Sequence, residues 1–297
     1  SETGMADIAC DNDEDCLDAV TEFLSYLPRN AKHEPPVRED YDPPAEEDVE
    51  ALTEVMPANK MKGYDIYAIV GGIVDRGSFF ELKPDYARNI VTGFARIEGR
   101  PVGIVANNPR FKAGTIDTGA SDKASHFVSV CDAFGLPIIT LVDVPGILPG
   151  PDSEMEGIAR HSAKLPFELN RATVPKCNVV LRRGYGFGYV AMGGGRSTEN
   201  EVSVVWTTAE IAAMGIEGAV DIAYGEEIKN ADDPEKKREE LIDEFSERTN
   251  AERAVENVGV DGVIEPKETR EVVARAIERA ETNEKNWPPK KHSINPI

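Results

Sequence analysis

The run Tyr185-Gly186-Phe187-Gly188-Tyr189-Val190-Ala191-Met192-Gly193-Gly194-Gly195 follows a short apolar segment, Cys177 to Leu181, that reads as a buried strand. Glycines at the end of such a strand let a ligand or another stretch of backbone come close. Peptide N–H groups exposed there, ahead of a helix, can face a developing negative charge and stabilise an enolate without any titrating side chain. The same stretch also suits a purely structural use, tight packing of strand against helix. It matches neither GxGxxG nor the P-loop, and no Lys-Ser/Thr pair follows, which disfavours a nucleotide phosphate as the ligand.

A second landmark is Asp143-Val144-Pro145-Gly146, which closes another apolar run and opens into Ile147-Leu148-Pro149-Gly150-Pro151. That loop is too apolar for idle surface and reads as a pocket wall. Asp143 has two readings: a general base, or a carboxylate that fixes a turn by accepting a backbone N–H, the commoner use at a strand end. Ser121, His161 and Asp143 could be drawn as a triad, but the GxSxG elbow that would present the serine is absent. His161 and Lys164 fit better as hydrogen-bonding and ion-pairing groups that position loops. The four cysteines show no CxxC pair, Cys131 and Cys177 fall inside apolar elements, and the four histidines include no HExxH, so no metal is expected.

Around these residues the apolar spacing predicts helices over residues 13 to 27, 64 to 75, 118 to 134 and 157 to 172. Charged helices are expected over 234 to 257 and 267 to 283. Strands are expected over 89 to 97 and 101 to 106, flanking a Glu98-Gly99-Arg100 turn, and over 137 to 144 and 177 to 181. Strand and helix alternate, so the class is α/β with parallel strands joined by right-handed crossovers. The ligand crevice then lies beyond the carboxyl ends of the strands. Residues 30 to 59 are rich in proline and acid and read as a connector, which divides the chain into 1–59 and 60–297. Trp287-Pro288-Pro289-Lys290-Lys291-His292 reads as an arm.

The 297 residues carry 54 acidic and 33 basic side chains, a formal net charge of −21. Such a field repels nucleic acid phosphates and anionic lipid, and it suits a protein kept soluble in a salt-rich, halophilic cytoplasm. No apolar run reaches the length a bilayer requires, and no basic n-region opens the chain. A soluble, cytoplasmic protein is expected.

Taken in order, Gly93-Phe94-Ala95-Arg96, Gly99 to Asn107, Cys131-Asp132-Ala133-Phe134, Val142 to Gly146, Arg160 to Leu165 and Ala209 to Gly215 resemble the carboxyltransferase β subunits of biotin-dependent acyl-CoA carboxylases of the propionyl-CoA and acetyl-CoA type. The resemblance implies a crotonase-like ββα spiral, and it covers only the second of the family's two domains, with a short piece of the first in front. It implies a half-site that accepts carboxybiotin, with the N–H groups of Phe187 and Gly188 holding the biotin enolate oxygen. Tyr185, Gly186, Tyr189, Val190, Asp143, Val144, Pro145 and Gly146 would line the pocket. The implied partners are a biotin carboxylase and biotin carrier subunit, an acyl-CoA, the N-terminal carboxyltransferase domain that binds it, and further copies of the chain, a hexamer in the family. The family commonly has Tyr-Gly-Gly-Ala-Tyr-Asp where this chain has Tyr185 to Val190. Phe187 must therefore find room for a ring, with a cost if its backbone is left-handed, and Val190 replaces an aspartate associated with acyl-chain choice. Two alternatives stand beside this reading: a biotin-dependent acyl-CoA decarboxylase subunit, and a non-catalytic assembly module of a carboxylase.

Overall fold

The computed structural model describes residues 1–30, 33–59, 62–257 and 259–281, so the arm expected at Trp287 to His292 lies outside the described residues. Strands are β1 (Phe80–Leu82), β2 (Ile90–Ile97), β3 (Arg100–Asn107), β4 (Ile138–Val144), β5 (Lys176–Tyr185), β6 (Val202–Trp206), β7 (Glu210–Ala212) and β8 (Gly262–Ile264). Helices are α1 (Asp13–Tyr26), α2 (Glu46–Ala51), α3 (Ile66–Ile73), α4 (Thr118–Phe134), α5 (Pro151–Met155), α6 (Ile158–Ser162), α7 (Lys164–Arg171), α8 (Gly186–Ala191), α9 (Ile216–Lys229), α10 (Pro234–Thr249), α11 (Ala251–Asn257) and α12 (Thr269–Glu281). None of the described helices is long and apolar enough to cross a membrane.

One sheet runs in the order β1-β2-β3-β4-β5-β6-β8, and β7 pairs with the end of β5. β2 and β3 form an antiparallel hairpin, while β3, β4, β5, β6 and β8 run parallel. The hairpin turns on Glu98 and Gly99, both at positive φ, the primed turn that suits the twist of two strands. Asp75 accepts from both of their N–H groups, at 3.1 and 2.8 Å, and is itself paired with Arg270.

Because side chains alternate along a strand, each strand feeds both faces of the sheet. Ile90, Phe94, Val105, Ile138, Val142, Val180 and Val205 pack under α4 and α7. Val91, Ala95, Ile104, Ile139, Leu141, Val179 and Trp206 pack beneath α3 and α12. Helices therefore cover both faces, which is why the parallel strands read as near-continuous apolar runs. The segment ahead of residue 59 lies on this same sheet. Tyr26 stacks on Phe80 and Phe94 and donates its hydroxyl to the Ser78 carbonyl, and Leu52 fills the space beside Gly72. The Arg96 guanidinium ties the segment down by donating to the carbonyls of Ser25 and Pro36.

The structure departs from the sequence expectation in several elements, and β1, β6, β7, β8, α2 and α5 were not expected at all. The helix expected over 157 to 172 is broken into α6 and α7, with Gly157 left-handed at the start of α6. The strand expected to stop at Leu181 continues to Tyr185 through two arginines. The helix expected over 234 to 257 stops at Thr249, because Asn250 is extended and bridges to Glu210. α9 was not expected; its apolar residues pack with those of α10 as a separate small cluster around Ile216, Val220 and Leu241.

Candidate active site

Two chain segments leave the carboxyl ends of adjacent parallel strands side by side: Pro145-Gly146 after β4, and Gly186 to Val190 after β5. What holds them in place is a bulge. Val142 pairs with Val180 and Val144 with Gly184, so Asp143 alone faces Leu181, Arg182 and Arg183. Both arginine side chains turn onto that one fully buried carboxylate. Arg182 donates to Oδ2 at 3.1 and 2.8 Å, and Arg183 donates to Oδ1 at 2.7 Å from its side chain and 3.2 Å from its backbone. A further donor of each reaches a carbonyl, Lys62 for Arg182 and Ala113 for Arg183. The Asp143 backbone N–H is held by the Asn107 side chain at 3.1 Å.

Asp143 therefore fixes structure, the second of its two readings, and its side chain does not face the crevice as the pocket expectation had it. Both carboxylate oxygens are occupied by guanidinium groups, and none of its surface is open to a substrate proton. Arg182 and Arg183 were not singled out from sequence. Their signal was present as two charges directly after an apolar strand run, 39 and 40 positions beyond a carboxylate that ends another.

Beyond the bulge, β5 turns into α8 at Gly186. Its φ of +54° and a neighbour, the Ala213 carbonyl oxygen, only 2.8 Å from where a Cβ would sit, restrict the position to glycine. The left-handed residue is thus Gly186, and Phe187 is not among the residues at positive φ. The strain anticipated at Phe187 does not arise, and its ring finds room by standing 48% exposed at the surface. Gly188 packs flat on the other segment: a Cβ there would lie 2.8 Å from Val144 Cγ2 and 2.9 Å from Gly146 Cα. Val144, Gly146 and Gly188 are brought together, and beside Gly146 a Cβ would meet nothing within 4 Å.

The N–H groups of Phe187 and Gly188 belong to the first turn of α8, where no intrahelical acceptor exists. The Tyr185 side chain does not cap them. Among the described residues, neither donates to a side chain or to the carbonyl of a loop residue. These two neutral donors suit a neutral carbonyl-type oxygen on which charge develops, as a ureido group would present.

The two tyrosines expected in the pocket face inward. Tyr185 donates its hydroxyl to Glu210 at 2.8 Å, and Tyr189 lies on Gly194 and accepts from the Gly195 N–H at 2.8 Å. Burial pushes the Tyr189 phenol up to about 12, and burial together with Glu210 raises that of Tyr185. Neither ionises near neutral pH, so they shape the backbone rather than move protons. Val190 is 36% exposed on the same helix as Phe187.

No triad forms. His161 Nδ1 contacts Asp122 at 2.9 Å, Lys164 pairs with the same carboxylate at 2.8 Å, and Asp143 is held by its arginines. Asp117 caps α4, and Lys123 is buried with its ammonium donating to the carbonyls of Lys83, Tyr86 and Ile90. Among the described residues, no group of three or more His, Cys, Asp and Glu side chains is placed to hold a metal.

Residues 1–294 match the carboxyl transferase domain family. Over the full chain the sequence is 44% identical to the propionyl-CoA carboxylase carboxyltransferase subunit of Haloferax mediterranei and 40% identical to the methylmalonyl-CoA decarboxylase subunit alpha of Veillonella parvula. It spans 57% of the length of each. Among solved structures, transcarboxylase 12S, described as a hexamer and crystallised with methylmalonyl-CoA and methylmalonic acid bound, superposes with a TM-score of 0.91 at 40% identity, covering 100% of this chain and 57% of that one. The β subunit of Pseudomonas aeruginosa geranyl-CoA carboxylase gives 0.71 at 28% identity, covering 96% and 54%.

Proposed function

This chain belongs to the carboxyl transferase domain family, and from that premise we propose that it supplies the carboxybiotin-receiving half of an acyl-CoA carboxyltransferase site. Its α/β fold is crotonase-like. The observation that carries the proposal is the pair of N–H groups at Phe187 and Gly188, in the first turn of α8 with no side-chain cap and seated by Gly188 on the Val144-Pro145-Gly146 segment.

Bound carboxybiotin, carried by a partner protein, would supply activated CO₂. The chain's own part is electrostatic. The two N–H groups face the ureido oxygen and stabilise negative charge as it builds there, while Gly186 lets β5 turn into α8 and Gly188 lets that turn pack against Val144 and Gly146. The Asp143–Arg182–Arg183 cluster holds both segments rigid, so the donors need no reorganisation during the reaction. No side-chain base is required of this half, which agrees with Asp143, Tyr185 and Tyr189 all being engaged elsewhere. The acyl-CoA, a short-chain thioester such as propionyl-CoA, would be bound by a further carboxyltransferase domain outside this chain. The site is then complete only in a homo-oligomeric assembly with the biotin-carrying subunit.

The test is incorporation of [¹⁴C]bicarbonate by the full-length protein with its biotin carboxylase and carrier partner, on acetyl-, propionyl- and butyryl-CoA. Acid-stable label in one or more products is expected; no label with any of the three overturns the proposal. The 40% identity to a methylmalonyl-CoA decarboxylase subunit supports a second reading, the same site run in reverse. Release of CO₂ from methylmalonyl-CoA in the absence of ATP, and no ATP-dependent carboxylation, would select it.

A further inference from the structure

Away from the crevice, the start of α1 brings two thiols together. Asn12 caps the helix: its Oδ1 accepts from the Asp15 N–H at 2.9 Å, and its Nδ2 donates to the Asp15 carboxylate at 2.8 Å. A cap of this kind folds the preceding residues back over the fourth helical position, the geometry that elsewhere lets two apolar side chains staple a helix start. Here Asp11 stands directly before the cap, Cys10 comes one residue earlier, and the fourth helical residue is Cys16. Burial raises the Cys10 thiol, and the neighbouring Cys16 thiol, Asp15 and Asp11 add to that rise. Both cysteines also line one cavity of about 330 Å³ together with Ile8, Ala19, Phe23 and Leu82. Neither is in a disulfide; Cys16 is exposed and Cys10 partly buried.

We propose that Cys10 and Cys16 form an oxidisable dithiol site, closed to a disulfide by an uncharged peroxide. The Cys16 thiolate, the more accessible, attacks the peroxide O–O bond, forming an S–O bond and releasing hydroxide, which takes up the thiol proton as water. The Cys10 sulfur then attacks the Cys16 sulfur, its proton leaving with the expelled hydroxide as a second water. Two thiols and one hydrogen peroxide become one disulfide and two waters. The oxidant is uncharged because Asp11 and Asp15 stand close to Cys10, and Asp13 and Glu14 fill the same first turn. That acidic collar repels an anion such as glutathione disulfide. Closure would fasten the segment at Gly4 to Cys10, already bonded to Lys83 through Gly4 and Asp7, onto α1.

The full-length protein contains its own control. Cys131 and Cys177 are fully buried, and burial pushes the Cys177 thiol up to about 12 and that of Cys131 higher still. After hydrogen peroxide, non-reducing peptide mass mapping should show the peptide containing both Cys10 and Cys16 lighter by two hydrogens and restored by dithiothreitol, with Cys131 and Cys177 still free. No Lys or Arg separates the pair, so one tryptic peptide reports both. In Cys10→Ser, Cys16 should stop at the sulfenic acid and be trapped by dimedone; in the wild type that adduct should not accumulate. Phenylarsine oxide, which needs two adjacent thiols, should remove both from alkylation by N-ethylmaleimide in the wild type and leave Cys10 alkylated in Cys16→Ser. A wild type that accumulates the dimedone adduct without closing the ring, or that glutathione disulfide closes as readily as peroxide does, overturns the proposal.

Discussion

At Gly188 the donor and the space around it can be separated by mutation. Gly188→Ala places a Cβ 2.8 Å from Val144 Cγ2 and 2.9 Å from Gly146 Cα. At those distances the two segments must part, which moves both N–H groups. Losing one well-placed oxyanion donor costs about 10²–10³ in kcat, so a loss of that order is expected in bicarbonate incorporation by the full-length enzyme. Phe187→Ala should behave differently, because its donor is main chain and its ring lies at the surface: kcat should stay within about threefold of wild type. Equal losses in the two variants would mean that the ring, and not the backbone, contacts the ligand. Asp143→Asn tests the cluster beneath them. It leaves two buried guanidinium groups facing a neutral amide, and removing one partner of a buried ion pair costs about 3–5 kcal/mol. Chemical denaturation should show a loss of that size, and a change under about 1 kcal/mol would mean that the arginines find other acceptors.

Among the elements, α4 shows what could be read in advance. Its bounds, Thr118 to Phe134, were legible because Asp117 caps one end and Gly135, left-handed, closes the other, two local signals that tertiary packing has no reason to override. The hairpin was legible for the same kind of reason, a Glu-Gly turn between two apolar runs. β5 was not, because Arg182 and Arg183 look like the end of a buried strand unless Asp143 is known to lie opposite, and that pairing spans 39 positions of sequence. The start of α8 was half legible: glycines marked the turn, yet only coordinates tell that Gly186, and not Phe187, takes the left-handed conformation. α9 and α10 bury their apolar residues on each other rather than on the sheet, so their pattern carried no reference to the main core. α4 also carries a testable titration. Burial pushes the Lys123 ammonium down to about 8 from the 10.5 of an unburied lysine. Between those values the unfolded chain binds more protons than the folded one, so this residue's contribution to stability rises with pH from about 8 toward about 10.5 and is least favourable below that window. The stability of wild type relative to Lys123→Met, from urea denaturation at a series of pH values, should increase across that range. A flat difference would show that the three carbonyl acceptors hold the proton on Lys123 throughout.

For the molecule as a whole, the charge of −21 is unevenly spread. Residues 1–59 contain 17 acidic and 3 basic side chains, a net of −14, which leaves −7 for the remaining 238. This strongly acidic segment is the one that α1 and Arg96 help fasten to the sheet, through contacts that include Tyr26 on Phe80 and Phe94, Leu52 beside Gly72, and the guanidinium bonds to Ser25 and Pro36. Repulsion within it opposes docking, and salt relieves repulsion, since the screening length falls from about 10 Å at 0.1 M to about 3 Å at 1 M. Stability should therefore rise with potassium chloride, a salt chosen because sulfate would also strengthen apolar burial. Relief of about 1 kcal/mol corresponds to roughly 2–4 °C in Tm for a chain of this size class. The rise should also have a location. As salt is lowered from 1 M, hydrogen exchange should accelerate in α1 before it does in β3, β4 or β5, because the segment is tied down at its edges while those strands are paired on both sides. A Tm that does not move between 0.1 and 1 M, or a loss of protection that begins in the central strands, would place the destabilising charge elsewhere than in the first 59 residues.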